Sequence, residues 1–194
     1  RENVFIYSGE LADYHFKRWI DFQLAGTEYI KTVQNVYGDN EYTISEGVIR
    51  QISDWYKGRA YIYDNNWLPD DDVEIESLPD TIEKVIKQYG VRLVCIDNLM
   101  TAMESVREND QLYLAQSNFV GKLKKIAVKY DVVVILVAHP RKSKLEFDND
   151  DVSGSGDITN KVDVVMSYQR VENDDTCDSK LSITKNRLFG KYAN

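Results

Sequence analysis

Leu93–Met100 reads LVCIDNLM, a run of core-type residues that ends on a carboxylate, Asp97, followed by Asn98. A short apolar run bounded by polar residues has the length and composition of a buried strand. In an open parallel sheet, ligands sit beyond the carboxyl ends of the strands, so an acid placed there either handles a ligand or terminates the strand. Val132–Ala138, VVVILVA, is continuous and β-branched, and predicts a strand buried on both faces of a parallel sheet.

Working outward, Asn3–Ser8 (NVFIYS) reads as a strand, and Leu11, Tyr14, His15, Trp19, Phe22 and Leu24 follow at near-helical spacing. A second helix is expected from Ser45, in the N-cap position, to Gly58, and a brief strand at 60–63. Leu78, Ile82, Val85, Ile86 and Tyr89 mark an amphipathic helix closed by Gly90. The stripe Leu112, Ala115, Phe119, Leu123, Ile126, Ala127 and Tyr130 marks another between the two central strands. Arg141–Gly156 is a long polar loop, and 162–169 and 180–185 are predicted strands for which antiparallel pairing stays open. Strands alternating with helices predict a three-layer α/β fold with a mostly parallel sheet, and 194 residues suit a single domain spanning 1–194.

A net charge of −8 argues against a surface that binds nucleic acid everywhere, so any such contact must be local. Pro69–Glu83 carries seven acids and no base, which reads as a solvated loop, whereas 180–194 carries four bases and no acid. No apolar run reaches the roughly 18 residues of a membrane span. Cys95 in an apolar run and Cys177 in a polar one offer no disulfide framework, which suits a cytoplasmic location.

Three polar residues fall just past three predicted strands: Glu10, Asp97 and His139. Parallel strands bring such ends to one edge, where an Asp can hold hydrated Mg²⁺, a Glu can deprotonate a water and a His can sense a terminal phosphate. Singly, each has a plainer account: Asp97 and Asn98 as a helix cap, Glu10 as a first-turn acid, His139 as a loop histidine. The stretch 149–160 opens like a calcium loop, but its twelfth position is Asn160 where a bidentate Glu is needed. Ser155 lacks a nucleophile elbow, and two histidines with two scattered cysteines do not build a structural zinc site. The chain contains no G-x-x-x-x-G-K-[ST] phosphate loop.

Together VFIYSGEL, LVCIDNLM, VVVILVAHPRK, VSGSGDITNKVDVVMSYQR and ITKNRLFGK resemble, in order, segments of the RecA-like motor domain of DnaB-type replicative DNA helicases, the family of phage primase-helicases and the mitochondrial helicase. The resemblance runs from about Asn3 to the C-terminus. It implies that Glu10 is the general base, Asp97 the Mg²⁺ acid with Asn98 beside it at the nucleotide, and His139 the γ-phosphate sensor. Lys185 and Arg187 would reach a neighbouring subunit's ATP site, which implies a homo-oligomeric, hexameric ring. Single-stranded DNA would meet Arg141, Lys142, Lys144, Gly154, Ser155, Gly156 and Asn160 in the central channel, with Arg107 nearby. The family's phosphate loop lies just N-terminal to the strand at Asn3, so the chain is expected to be a helicase fragment that lacks that strand and loop and binds ATP poorly alone. The alternatives are another RecA-like ATPase, of recombinase or clock type, and a non-catalytic module that binds DNA or a partner.

Overall fold

The computed structural model describes residues 2–65, 76–103, 112–139, 156–171 and 177–189. Four parallel strands form the central sheet in the order β4-β1-β5-β6: β1 (Asn3–Ser8), β4 (Ala60–Ile62), β5 (Val91–Asp97) and β6 (Val133–Leu136). Ser8 stands level with Asp97, and Ile96 with Leu136. The carboxyl ends of β1, β5 and β6 therefore share one edge.

Helix α3 (Leu78–Tyr89) follows Ser77 in the N-cap position, carries Pro79 in its first turn and ends at Gly90. Gly90 is left-handed (φ 61°), and its N–H returns to the Ile86 carbonyl at 3.0 Å, so the chain can reverse into β5 at once. Helix α4 (Leu112–Tyr130) buries Phe119, Val120, Leu123 and Ile126 on one stripe. That stripe, together with Ile82 and Ile86 of α3, covers Phe5, Val94 and Ile96 of the sheet. Full burial of a side chain such as Ile82 stabilises the fold by about 1.5–3 kcal/mol. Tyr130 Oη also donates to Glu83 at 2.6 Å, joining the two helices.

Helix α1 (Asp13–Ala25) packs on α2 (Glu46–Tyr56) through Asp21, which is buried and paired with Lys17 at 2.7 Å. The expected apolar stripe of α1 is largely solvent-facing, with Tyr14 and Trp19 both exposed. Between α1 and α2 lies an antiparallel hairpin, β2 (Ile30–Gln34) and β3 (Asn40–Ile44), that the sequence reading passed over. Its β-branched residues, Ile30, Thr32, Val33, Thr43 and Ile44, flanking the turn around Gly38 (φ 85°) carry the signal.

The expectation that VVVILVA is buried on both faces needs correction. Val134 and Leu136 pack on the core, whereas Val133 is 60% and Ile135 49% exposed. Among the described residues β6 pairs only with β5, so its other edge and face lack the covering that the composition suggests. The last two strands, β7 (Val164–Arg170) and β8 (Ser179–Asn186), form an antiparallel pair outside the four-stranded sheet. A short helix, α5 (Gly156–Lys161), precedes them, beginning at the residue where the expected loop ends.

Candidate nucleotide-hydrolysis site

Three chain segments leave the sheet edge together. Gly9 N–H donates to the Asp97 carbonyl at 2.7 Å, which holds the end of β1 against the end of β5. Beyond β6, Val137 N–H donates to Ile96 O and Leu99 N–H to Val137 O, both at 2.9 Å, which holds the third segment in place. As a result His139 Nε2 lies 2.9 Å from Glu10 Oε1, although the two residues are 129 positions apart. Both side chains are partly open to solvent, as groups that meet a ligand must be.

Asn98 lies between them and is 1% exposed. Its Nδ2 donates to Glu10 Oε1 and sits 2.9 Å from His139 Nε2. Its Oδ1 accepts the backbone N–H groups of Met100 (2.9 Å) and Thr101 (3.2 Å). Thr101 Oγ1 accepts from Asn98 N–H and donates to Asn98 O, each at 3.1 Å. Tyr7 Oη in turn donates to the Thr101 carbonyl at 3.0 Å. A short turn after β5 therefore fixes the residue that follows the acid.

The Asp97 carboxyl titrates above its ordinary range, first because burial disfavours its charge and then because Glu10 adds a second carboxylate, with His139 partly offsetting both. Ser8, its register partner on the same face of the sheet, is buried, and its Oγ has no hydrogen-bond partner among the described residues. Two carboxylates and an unsatisfied hydroxyl suit a hydrated divalent cation that takes its remaining ligands from phosphates. No group of three or more His, Cys, Asp or Glu residues able to cage a metal occurs among the described residues.

The structure thus brings Glu10, Asn98 and His139 into mutual contact beside Asp97. Lys185 and Arg187 lie on and just after β8, outside this cluster. Lys185 Nζ donates to the Thr159 carbonyl and Arg187 to the Asn160 carbonyl at 2.7 Å, so both cations hold the end of α5. Burial, followed by the neighbouring Arg187 charge, pushes the Lys185 ammonium below its ordinary range. Gly156 opens α5 and Asn160 is exposed on it, whereas Arg107, Arg141, Lys142, Lys144, Gly154 and Ser155 lie outside the described residues.

Two members of the site escaped the sequence reading. Thr101 fastens the Asn98 turn, and Gly9 faces it so closely that an added Cβ would lie 2.2 Å from Thr101 Oγ1 and 2.3 Å from Thr101 Cβ. The only local signal was a glycine directly before the strand-end acid.

A family model described as "AAA domain" matches residues 3–144, most of the chain and the whole of this site. The chain belongs to the AAA domain family. Among solved structures, the AAA domain is similar to the KaiC-like protein PH0186 from the hyperthermophilic archaeon Pyrococcus horikoshii OT3, with 14% identity and a TM-score of 0.58. That match covers 96% of this chain and 66% of the other, so the chain spans somewhat under two thirds of its structural relative's length. At this identity the likeness establishes the fold, an α/β RecA-like architecture with a parallel central sheet. No curated protein matches this chain. No helix among the described residues is long and apolar enough to cross a membrane.

Proposed function

We propose that the AAA domain hydrolyses ATP with Mg²⁺ and couples turnover to movement on single-stranded DNA, as part of a ring-shaped helicase. The convergence of Glu10, Asn98 and His139 beside Asp97 is the observation that supports hydrolysis. The resemblance of five sequence segments, in order, to those of DnaB-type motors supports DNA as the partner.

In this reading Glu10 Oε accepts the proton of the attacking water, and removing that base costs about 10²–10⁴-fold in rate. Asp97, ionised when a cation is near, holds Mg²⁺ through water. When bound, the metal spreads the negative charge of the phosphates and orients them. His139 lies at the reacting edge, where its imidazole can donate to a terminal phosphate. Lys185 and Arg187 serve a neighbouring subunit, each exchanging an α5 carbonyl for a phosphate oxygen. The DNA path follows Arg141, Lys142, Lys144, Gly154, Ser155, Gly156 and Asn160. The 194 residues supply the hydrolytic side of the site, and in this reading the phosphate-cradling loop comes from elsewhere in the full-length protein.

The decisive experiment uses the full-length protein with forked duplex and single-stranded DNA. Glu10→Gln is expected to abolish DNA-stimulated ATP turnover and leave nucleotide binding intact, and retained turnover removes Glu10 from the base role. The name of the KaiC-like structure supports a second reading, a clock-type ATPase. Turnover indifferent to DNA, with no unwinding, selects it. No turnover by the full-length protein selects a non-catalytic module.

A further inference from the structure

The atoms Asn98 Nδ2, His139 Nε2 and Glu10 Oε1 form a triangle whose three edges are all short enough for hydrogen bonds. They cannot all be hydrogen bonds at once. Backbone N–H groups only donate, so the two that reach the Asn98 side chain fix its oxygen toward the turn and its NH₂ toward Glu10 and His139. The Asn98 nitrogen is then a pure donor and an ionised Glu10 a pure acceptor. A neutral His139 Nε2 must satisfy one of them. As N–H it serves Glu10 and opposes Asn98 donor to donor; as a bare nitrogen it accepts from Asn98 and opposes Glu10 acceptor to acceptor.

We propose that Asn98 is a positioning residue that sets the His139 tautomer in competition with Glu10, and so links the positions of the two groups. With Glu10 in place, Nε2 carries the proton and Oε1 receives two donors, from Asn98 and His139. In that state Oε1 is not free to accept a proton from water. When Glu10 turns toward a water, the Asn98 N–H takes over Nε2 and the imidazole proton moves to Nδ1. The burial of Asn98 and its bonds to Met100, Thr101 and Ala102 N–H, the last at 3.0 Å to the Asn98 carbonyl, make it the fixed member of the three. Glu10 and His139, both partly exposed, are the movable ones. Among the described residues, Asp97 is the further charged group coupled to Glu10 and His139.

The consequence for turnover rests on the hydrolytic reading above, but the tautomer does not, and it is measured without nucleotide. The protein contains only two histidines, His15 and His139, so imidazole nitrogen spectra of ¹⁵N-labelled protein are assigned with a single His139→Gln control. With the buffer above the ordinary imidazole range, the expected result is a pyrrole-type Nε2 in the unaltered protein. Glu10→Ala, at an exposed position that the fold tolerates, is expected to move Nε2 to the pyridine type. It should also reveal a through-hydrogen-bond ¹⁵N–¹⁵N coupling to the Asn98 side-chain amide. Asn98→Ala on the Glu10→Ala background is expected to restore the pyrrole-type Nε2. An Nε2 that stays protonated in Glu10→Ala, or a pyridine-type Nε2 without the Asn98 coupling, overturns the proposal, and neither result requires the Asn98 variant to fold. Absent ATP turnover with the expected spectra would instead sink the hydrolytic reading alone.

Discussion

Gly9→Ala is the most discriminating perturbation of the site that leaves its chemical groups untouched. The new Cβ would lie 2.3 Å from Thr101 Cβ. That is about 1.2 Å or more inside the contact distance of roughly 3.5–4.0 Å between carbon atoms. Rotating the threonine side chain moves Oγ1 but not Cβ, so the overlap is relieved only by separating the end of β1 from the turn after β5. That separation strains the Gly9–Asp97 backbone bond and the bonds of Thr101 to Asn98. Overpacking typically costs about 1–3 kcal/mol, and the bonded backbone on both sides puts this case near about 3 kcal/mol. For a chain of this length the melting temperature falls by about 6–12 °C. The assay is reversible thermal or urea unfolding of Gly9→Ala, Thr101→Gly and the double variant. Thr101→Gly removes the two nearest of the three crowded atoms and leaves Tyr7 Oη, the movable end of a side chain, at 2.9 Å, so the double variant should be at least about 1 kcal/mol more stable than the sum of the two single losses implies. Additive losses, or a Gly9→Ala protein as stable as the parent, would refute the close approach.

Burial and Glu10 both raise the Asp97 titration, so the native state holds this proton to higher pH than the unfolded chain does. Where the native state binds more protons, stability falls as pH rises. The contribution from Asp97 is therefore fully present below its ordinary value of 3.8 and is lost as pH climbs through the raised value. Asp97→Asn should remove this slope from urea midpoints and raise the midpoint at neutral pH, while abolishing turnover, as for other functional groups held in unfavourable surroundings. Equal or lower stability would show that Asp97 is structurally satisfied. Away from the site, Ile82→Ala at the fully buried face of α3 should cost about 2–5 kcal/mol in urea unfolding, and a loss below about 1 kcal/mol would contradict the burial.

Strand ends were legible because an apolar run that stops at a charge is a local pattern. NVFIYS, VRLVCI and VVVILVA each stop within two residues of Glu10, Asp97 or His139, and parallel pairing then does the rest. Helices α3 and α4 were equally plain, since a 3.6-residue stripe with Gly90 as a stop needs no distant partner to be recognised.

Side-chain direction was not legible. Asn98 looks in sequence like a second ligand-handling group, and the sequence does not show that its amide also bonds the turn that follows and partners 88 and 41 positions away. Lys185 and Arg187 read as cations that reach a neighbouring subunit, and within the chain the fold places α5 carbonyls within their reach. Gly9 could have been a flexible joint. Only the neighbouring Thr101 makes it a position without room for a methyl group. The sequence by itself determined which residues reach the edge of the sheet, because periodicity and charge are properties of adjacent positions. Tertiary structure alone decided which atoms of those residues face one another, because a hydrogen bond is chosen by whatever donor or acceptor the rest of the chain brings within 3 Å.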